Sequence, residues 1–348
     1  MFVLGIETSC DETSVAVLDG NGRVLSNVVS SQLAAHAPYG GVVPEIAARA
    51  HLENLPVTFE RALTEAGADV SSLDLVAATA GPGLIGALLV GLSAGKALAF
   101  ARGIPLVAVN HLEGHLFSAF LRTGAAPARP VELPFHGLVV SGGHAEFVRV
   151  EPDRIVPIAR TRDDAPGEAF DKVARRAGLG YPGGPVVDRV AARGEGNRYP
   201  LPVGRPGDGS NDFSFSGLKT AMIRGLREQG VDGAPLDPET LSSDLVDLLA
   251  SFQRAIVTAL VDRVETVHRD EGIRTLALSG GVAANSELRR TLSEWGKSRR
   301  VRVLLPESGF TTDNGAMIAF AGLLRYRRER PGDPAAAVAA RSRWPLGS

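Results

Sequence analysis

Two histidines one helical turn apart, in the run His111-Leu112-Glu113-Gly114-His115, are the residues whose types and spacing point most directly to chemistry. On an α-helix, positions four apart lie about 40° apart around the axis, so both imidazoles face one side and can share one ion. Such a pair suits zinc, iron or another metal that favours imidazole. In a metallopeptidase HExxH motif the glutamate directly follows the first histidine. Glu113 instead lies two residues on, about 200° round the helix, which disfavours a general-base glutamate beside the metal. The spacing alone also fits two half-buried histidines on an amphipathic helix; the intervening glycine and the buried strand just before favour the metal. Asp313, in Thr311-Thr312-Asp313-Asn314-Gly315-Ala316, is either a helix cap or the hard oxygen ligand that completes a two-histidine site.

Glycine-rich turns form the second group. Gly81-Pro82-Gly83-Leu84-Ile85-Gly86 matches GxGxxG after a strand, but the next strand ends in Val109-Asn110 without the acid that a dinucleotide fold requires. Near Lys96 a Walker motif fails as well, because Val90 replaces its first glycine and Ala97 its Ser/Thr. Ser141-Gly142-Gly143-His144 and Ser279-Gly280-Gly281-Val282-Ala283-Ala284-Asn285 are different. Each follows a short apolar strand, and paired glycines let successive N–H groups converge on an anion. Two such turns suggest a nucleotide held between two lobes. Asp163, Asp164, Glu168, Asp171 and Asp188 lie at loop–helix junctions, where most carboxylates serve as caps.

The elements that must position these residues are legible in outline. Residues 2 to 28 read as strand, small polar stretch, strand, turn and strand, and residues 137 to 158 repeat that grammar, which implies a duplicated lobe. Between and after them come an amphipathic stretch at 44 to 67, the strand LDLVAATA, a glycine turn and helix, the strand PLVAVN and a helix over 111 to 122. A long apolar-periodic helix through Leu245 and Val264, the strand TLALS and another helix follow. Mixed hairpins and crossover helices predict an α/β fold with mixed sheets flanked by helices. The stretch 123 to 130 reads as a linker, 194 to 212 as a surface loop, and the tail after Pro331 as a poorly packed extension without function.

Composition narrows the function classes. With 37 basic and 39 acidic residues in 348, the net charge is −2, which excludes a polybasic nucleic-acid tail and an acidic disordered chain. Roughly 150 residues per domain predicts two lobes. A single cysteine, Cys10, excludes a disulfide framework or a cysteine-based zinc ribbon, and the N-terminal apolar run meets Glu7 too soon for a signal peptide, so a cytoplasmic protein is expected. The uncharged stretch from Leu75 to Gly95 carries too many glycines and hydroxyls for a membrane span. Lysine is scarce enough that Lys96, Lys172, Lys219 and Lys297 stand out.

Together ETSCDETSVAV, YGGVVPEIAAR, AGPGLIGALLVG, HLEGH, VVSGGH, GEAFDKVAR, YPGGP, FSFSGLKT, SGGVAAN and TTDNGAMIA resemble, in order from Gly5 to Ala319, the tRNA N6-adenosine threonylcarbamoyltransferase family in its bacterial form. The resemblance implies the two-lobed fold of the actin, sugar kinase and Hsp70 superfamily, built on a duplicated ribonuclease H-like unit. The lobes are expected at residues 1–110 plus about 314–345, and at about 111–313, with the nucleotide and metal site in the cleft between them. It further implies that His111, His115 and Asp313 bind one divalent metal, Fe2+ in the family, with Zn2+ or Mg2+ as substitutes in isolated protein. Val139, Val140, Ser141, Gly142, Gly143, Asp171, Gly184, Asp188 and Asn285 are implied to contact threonylcarbamoyl-AMP. The acid pair Asp11 and Glu12 is implied in activity, and His144 is a weaker catalytic candidate.

The expected reaction is acyl transfer to N6 of the tRNA adenosine. The glycine-turn amides hold phosphate or oxyanion, Asp171 and Asp188 the ribose hydroxyls, and Asn285 the base, while Glu12 or Asp11 takes the amine proton. Expected partners are tRNA, an inactive paralogue subunit docking near 44 to 67 and a P-loop ATPase subunit, with no membrane. Candidate tRNA contacts are Arg289, Arg290, Lys297, Arg299, Arg300 and Arg302, and the run 325 to 330. The alternatives are an ATP-dependent sugar or carboxylate kinase of the same superfamily, which would not need the histidine pair, and a metal-dependent glycopeptidase.

Overall fold

The computed structural model describes residues 1–348 except Ala125, Arg205, Gly207, Arg330, Pro331, Ala335, Ala336 and Ser348. The chain divides into two compact units, Met1–Glu132 with Pro306–Ser348, and Leu133–Leu305.

The first unit opens with β1 (Phe2–Glu7), β2 (Glu12–Asp19) and β3 (Val24–Ser31), followed by α1 (Leu33–His36), α2 (Pro44–Ala66), β4 (Leu73–Gly81), α3 (Ile85–Arg102), β5 (Leu106–Asn110) and α4 (His111–Ser118). β1 and β2 are antiparallel from Phe2↔Asp19 to Glu7↔Ser14. Their near-continuous burial reflects helices on both faces, as in a sheet built by crossovers. The sheet order is β3-β2-β1-β4-β5, with β4 and β5 parallel to β1. α2 starts on Pro44 and stops at Gly67 in the left-handed conformation, the expected punctuation of a helix.

The second unit repeats this plan with β6 (Phe135–Val140), β7 (Ala145–Val150), β8 (Ile155–Arg160), α5 (Pro166–Arg176), α6 (Gly183–Ala191), α7 (Ser216–Glu228), α8 (Ser243–Glu271), β9 (Thr275–Ser279), α9 (Ser286–Arg299) and β10 (Arg302–Leu304). Its order, β10-β9-β6-β7-β8, is the first unit's order read from the other edge. The duplicated hairpin grammar is thus a duplicated α/β unit. Phe147, Phe170, Phe213, Phe215 and Phe252 fill the core of this unit. The chain then returns to the first unit, where α10 (Gly315–Glu329) packs on β1, β2 and α4.

Four expectations are corrected. The units break at 132/133 and 305/306, not at 110/111 and 313/314, because α4 buries Leu112 and Leu116 and packs on β5 and α10 of the first unit. α4 ends at Ser118 rather than at 122, and the Arg129 guanidinium takes the carbonyls of Ala119 and Leu121. Consequently the described residues of 123 to 130 are tied down at both ends, by Arg129 and by the Thr123 amide donating to Glu307 (2.7 Å), rather than forming a linker. Nor do the described residues of the tail past Pro331 form a loose extension: Leu346 is buried, and Val338, Ala340 and Trp344 pack on the core of the first unit.

Candidate functional site

In the first unit, β5 runs directly into α4, and Asn110 at the junction caps the helix by accepting from the Leu112 amide through Oδ1 (2.9 Å). His111 and His115 therefore leave a rigid helix from one face, their rings edge-on with centroids 4.7 Å apart. Asp313 arrives from the segment before α10. The cap of α10 is the neighbouring Asn314, whose Oδ1 accepts from Met317 (2.9 Å), so the alternative of Asp313 as cap falls away. Asp313 Oδ1 instead lies 3.0 Å from His115 Nε2 and 3.5 Å from His111 Nε2. The three ligand atoms lie within 4.8 Å of one another, which is the only such cluster among the described residues.

Behind His111 stands a residue that sequence reading passed over. Glu7, at the end of β1 and fully buried, accepts from His111 Nδ1 at 3.2 Å. It also accepts from the Ser9 amide (2.6 Å) and from Thr79 Oγ1 (2.5 Å), and Ser9 Oγ lies 3.1 Å from the same Nδ1. A carboxylate on Nδ1–H fixes the tautomer that presents the Nε2 lone pair to an ion. Burial disfavours the charged Glu7, but His111 beside it outweighs that and holds its carboxyl below the usual range. Burial likewise opposes the His111 cation, yet Asp313 and Glu7 push its pKa up to about 9. His115 Nδ1 is buried with no partner among the described residues.

The donor chemistry fits a divalent metal. Two imidazole nitrogens and one carboxylate oxygen on one side are the ligand set that iron(II) and zinc accept, and one that magnesium, which demands oxygen, does not favour. The surroundings carry excess negative charge. Glu12 opens β2 with its side chain half-buried, and desolvation, then Asp313, Asp11 and Glu7, push its pKa up to about 10. A positive ion at the triad relieves that crowding. His51 of α2 holds the loop carrying Asp11 and Glu12 by donating from Nε2 to the Cys10 carbonyl (2.9 Å) and accepting from Thr13 Oγ1 (2.8 Å).

The second unit gathers the other expected residues. β6 and β9 are parallel with Val139 opposite Ser279, so both glycine turns lie at the same strand ends, where open α/β sheets bind ligands. Gly280 is obligatory there: its φ is +87°, and a Cβ would meet the Val140 carbonyl oxygen at 2.3 Å. Ser141 and Gly142 carbonyls accept from the Gly167 and Glu168 amides, tying the first turn to the start of α5. Gly142 and Gly143 are exposed and a side chain on either would meet nothing, which leaves room for a ligand. From α5, Asp171 Oδ1 accepts from Gly183 (2.8 Å) beside Gly184, at the start of α6. Asp188 accepts from the Ser286 amide and hydroxyl and from Asn285 Nδ2 (3.0 Å). Asn285 also caps α9 and donates to Gln253. Asp188 and Asn285 thus come together as a preformed pair, with part of their hydrogen-bonding capacity spent on the start of α9. His144 closes its turn by accepting from the Ser141 amide.

Other singled-out residues have structural work. Asp163 accepts from Ser214, Phe215 and Ser216 ahead of α7, and Asp164 holds both Lys172 and Lys219. Among the basic candidates, Arg290 pairs with Glu294, Arg299 with Glu265, and Arg325 and Arg328 with Glu329. Arg327 donates to the Gly20 carbonyl, and Arg330 lies outside the described residues. α3 is long and apolar enough to cross a membrane, yet it packs on α2 and β4 through Ala87, Leu88, Leu92 and Ala99.

A family model described as tRNA N6-adenosine threonylcarbamoyltransferase matches residues 23–320. Relatives carrying that name include one from Thermosipho africanus, 46% identical over 94% of this chain and 95% of its own length. Another, from Agrobacterium fabrum, is 48% identical over 99% of this chain and 94% of its own. Among solved structures, HypF of T. kodakarensis aligns with a TM-score of 0.59 at 15% identity, over 94% of this chain and 48% of that one. Component A of (R)-2-hydroxyglutaryl-CoA dehydratase from Acidaminococcus fermentans aligns at 0.53 and 14%, over 94% and 98%. At such identities the structural likeness shows the fold alone.

Proposed function

Because the chain belongs to the tRNA N6-adenosine threonylcarbamoyltransferase family, we propose that it moves the threonylcarbamoyl group of L-threonylcarbamoyl-AMP to N6 of adenosine 37 in tRNAs reading codons that begin with A, releasing AMP. The observation that carries this reading over a kinase of the same fold is the His111–His115–Asp313 cluster, for which phosphoryl transfer to a sugar has no use. With Glu113 directed away from that cluster in the helical register, peptide hydrolysis lacks its base.

The two imidazoles and Asp313 would hold the metal, Fe2+ in this reading, which supplies a Lewis acid to polarise a substrate oxygen. The mixed anhydride already carries a good leaving group, so the chain's task is positioning and charge control. Gly142 and Gly143 offer amides to phosphate or to the developing oxyanion, supported by Val139, Val140 and Ser141. Asp171 and Asp188 take the ribose hydroxyls, with Gly184 leaving space, and Asn285 orients the base. N6 attacks the carbamoyl carbon, the carbon–oxygen bond to phosphate breaks, AMP leaves with the electron pair, and the N6 proton passes to Glu12 or Asp11. Glu12 can accept it only as carboxylate, and a cation held by Asp313 would remove part of the Coulombic push that keeps Glu12 neutral. His144 is retained as a polar neighbour of the glycine turn rather than as the base.

The site is assigned to a cytoplasmic assembly. Leu52 and Val57 of α2 and Ile85, Leu89 and Phe100 of α3 are exposed, which supports this face as the dock for a paralogue subunit. A P-loop ATPase subunit is the other protein partner. With Arg290, Arg299, Arg325 and Arg328 engaged in ion pairs, tRNA binding relies on those partners as well as on this chain. The test is to incubate the protein with unmodified tRNA, threonylcarbamoyl-AMP and the partner proteins, then digest the tRNA and weigh its nucleosides. Threonylcarbamoyladenosine is expected; its absence alongside a phosphorylated sugar or a cleaved glycopeptide contradicts the reading.

A further inference from the structure

The C-terminal segment crosses the first unit where the metal-binding helix begins. Asp333 clips it to β5, donating its amide to the Leu106 carbonyl (2.8 Å) and accepting from the Ala108 amide (2.8 Å). Lys96 of α3 holds the Val338 carbonyl. Further on, the Arg341 amide donates to the Ala80 carbonyl (2.7 Å), the Ser342 carbonyl accepts from Gly83 (3.4 Å), and the Trp344 carbonyl accepts from Asn110 Nδ2 (3.0 Å). The Arg341 guanidinium lies 4.8 Å from the centre of the Trp344 ring, and Leu346 is 2% exposed. The sequence of the core makes room for this passage: a Cβ on Gly81 would meet the Arg341 carbonyl oxygen at 2.1 Å.

Both ends of these contacts lead to His111. Asn110 gives its Nδ2 to the tail while its Oδ1 caps α4, whose first residue is His111. The turn gripped by Arg341 and Ser342 passes its order to Ser9 through the Leu84 amide (2.9 Å to the Ser9 carbonyl), and Ser9 Oγ reaches His111 Nδ1 at 3.1 Å.

We propose that residues 341–344 are a positioning strap for the metal site: by fixing Asn110 and the Gly81-Pro82-Gly83 turn, they hold His111 in register with His115 and Asp313. The inference rests on the metal reading of that triad. A strap that merely adds stability would leave the affinity of the folded protein for metal unchanged, whereas a positioning strap sets it. Loss of partners behind a metal-binding histidine typically costs about 10–100-fold in affinity.

The test uses Co2+ as probe, titrated into the full chain, a chain ending at residue 340, and Asn110→Asp, with circular dichroism to establish folding. Asn110→Asp keeps a capping oxygen for α4 but removes the donor to Trp344, so it breaks the strap contact without removing the cap. The expected result is at least about tenfold weaker Co2+ binding and an altered d–d spectrum for each variant. Combining the two changes should cost little more than either alone, since they interrupt one path. Full-affinity binding by a folded truncated chain overturns the strap; should the truncated chain not fold, full-affinity binding by Asn110→Asp overturns it equally. A full-length chain that binds Co2+ no better than His111→Ala contradicts the metal reading, and the strap falls with it.

Discussion

Glu7 shows how much of the site depends on a residue that ligates nothing. Its carboxylate fixes the His111 tautomer, so Glu7→Ala is predicted to weaken metal binding by about 10–100-fold. Glu7→Gln, whose Oε1 can still accept from Nδ1–H, should recover most of that loss; a Co2+ titration of both variants checks the order. Glu12→Gln is predicted to slow single-turnover transfer by about 10²–10⁴-fold at unchanged metal content, and a full rate would remove Glu12 as the base. The histidine pair and its aspartate were legible in the sequence because four-residue spacing is a property of one helix. Glu7 was not: it lies 104 residues from His111, at the end of a strand whose pattern shows only burial. Nor could the sequence decide whether Asp313 is a cap or a ligand, which depends on Asn314 being the side chain that turns toward α10.

At the scale of elements, strands β1–β3 and β6–β8 were readable from alternating apolar and small polar runs, and their repetition anticipated the shared topology of the two units. The tail was misread because its apolar residues have no helical or strand period; backbone hydrogen bonds and a glycine opposite hold it instead. Gly280 sits where β6 and β9 end together, and Gly280→Ala should destabilise the second unit by about 2 kcal/mol or more in denaturant unfolding. The α8–α9 contact carries a pH signature. Arg299 and then Trp295 donate to Glu265 and lower its pKa from 4.5 to about 2. The unfolded chain thus binds this proton more readily, so the stabilisation is complete above about pH 4.5 and is lost as pH falls toward about 2. Wild type should exceed Glu265→Gln in stability most at neutral pH and converge with it in acid; a difference independent of pH contradicts this assignment.

For the whole molecule, the near-zero net charge that excludes a polybasic tail also fits the proposal that partners share the tRNA, since Arg290, Arg299 and Arg325 of the candidate contacts are committed to internal ion pairs. The candidate residues fall in both units: the first carries the His111–His115–Asp313 cluster and the acid pair, the second the glycine turns and the Asp188–Asn285 pair. The measurement that addresses this account most directly is single-turnover transfer from threonylcarbamoyl-AMP to unmodified tRNA, with partner proteins present and bound metal quantified, for wild type and Asp313→Ala. The account predicts threonylcarbamoyladenosine from the metal-bearing wild type and at least about 100-fold less from a folded, metal-free Asp313→Ala. Transfer at the wild-type rate by that metal-free variant would contradict it.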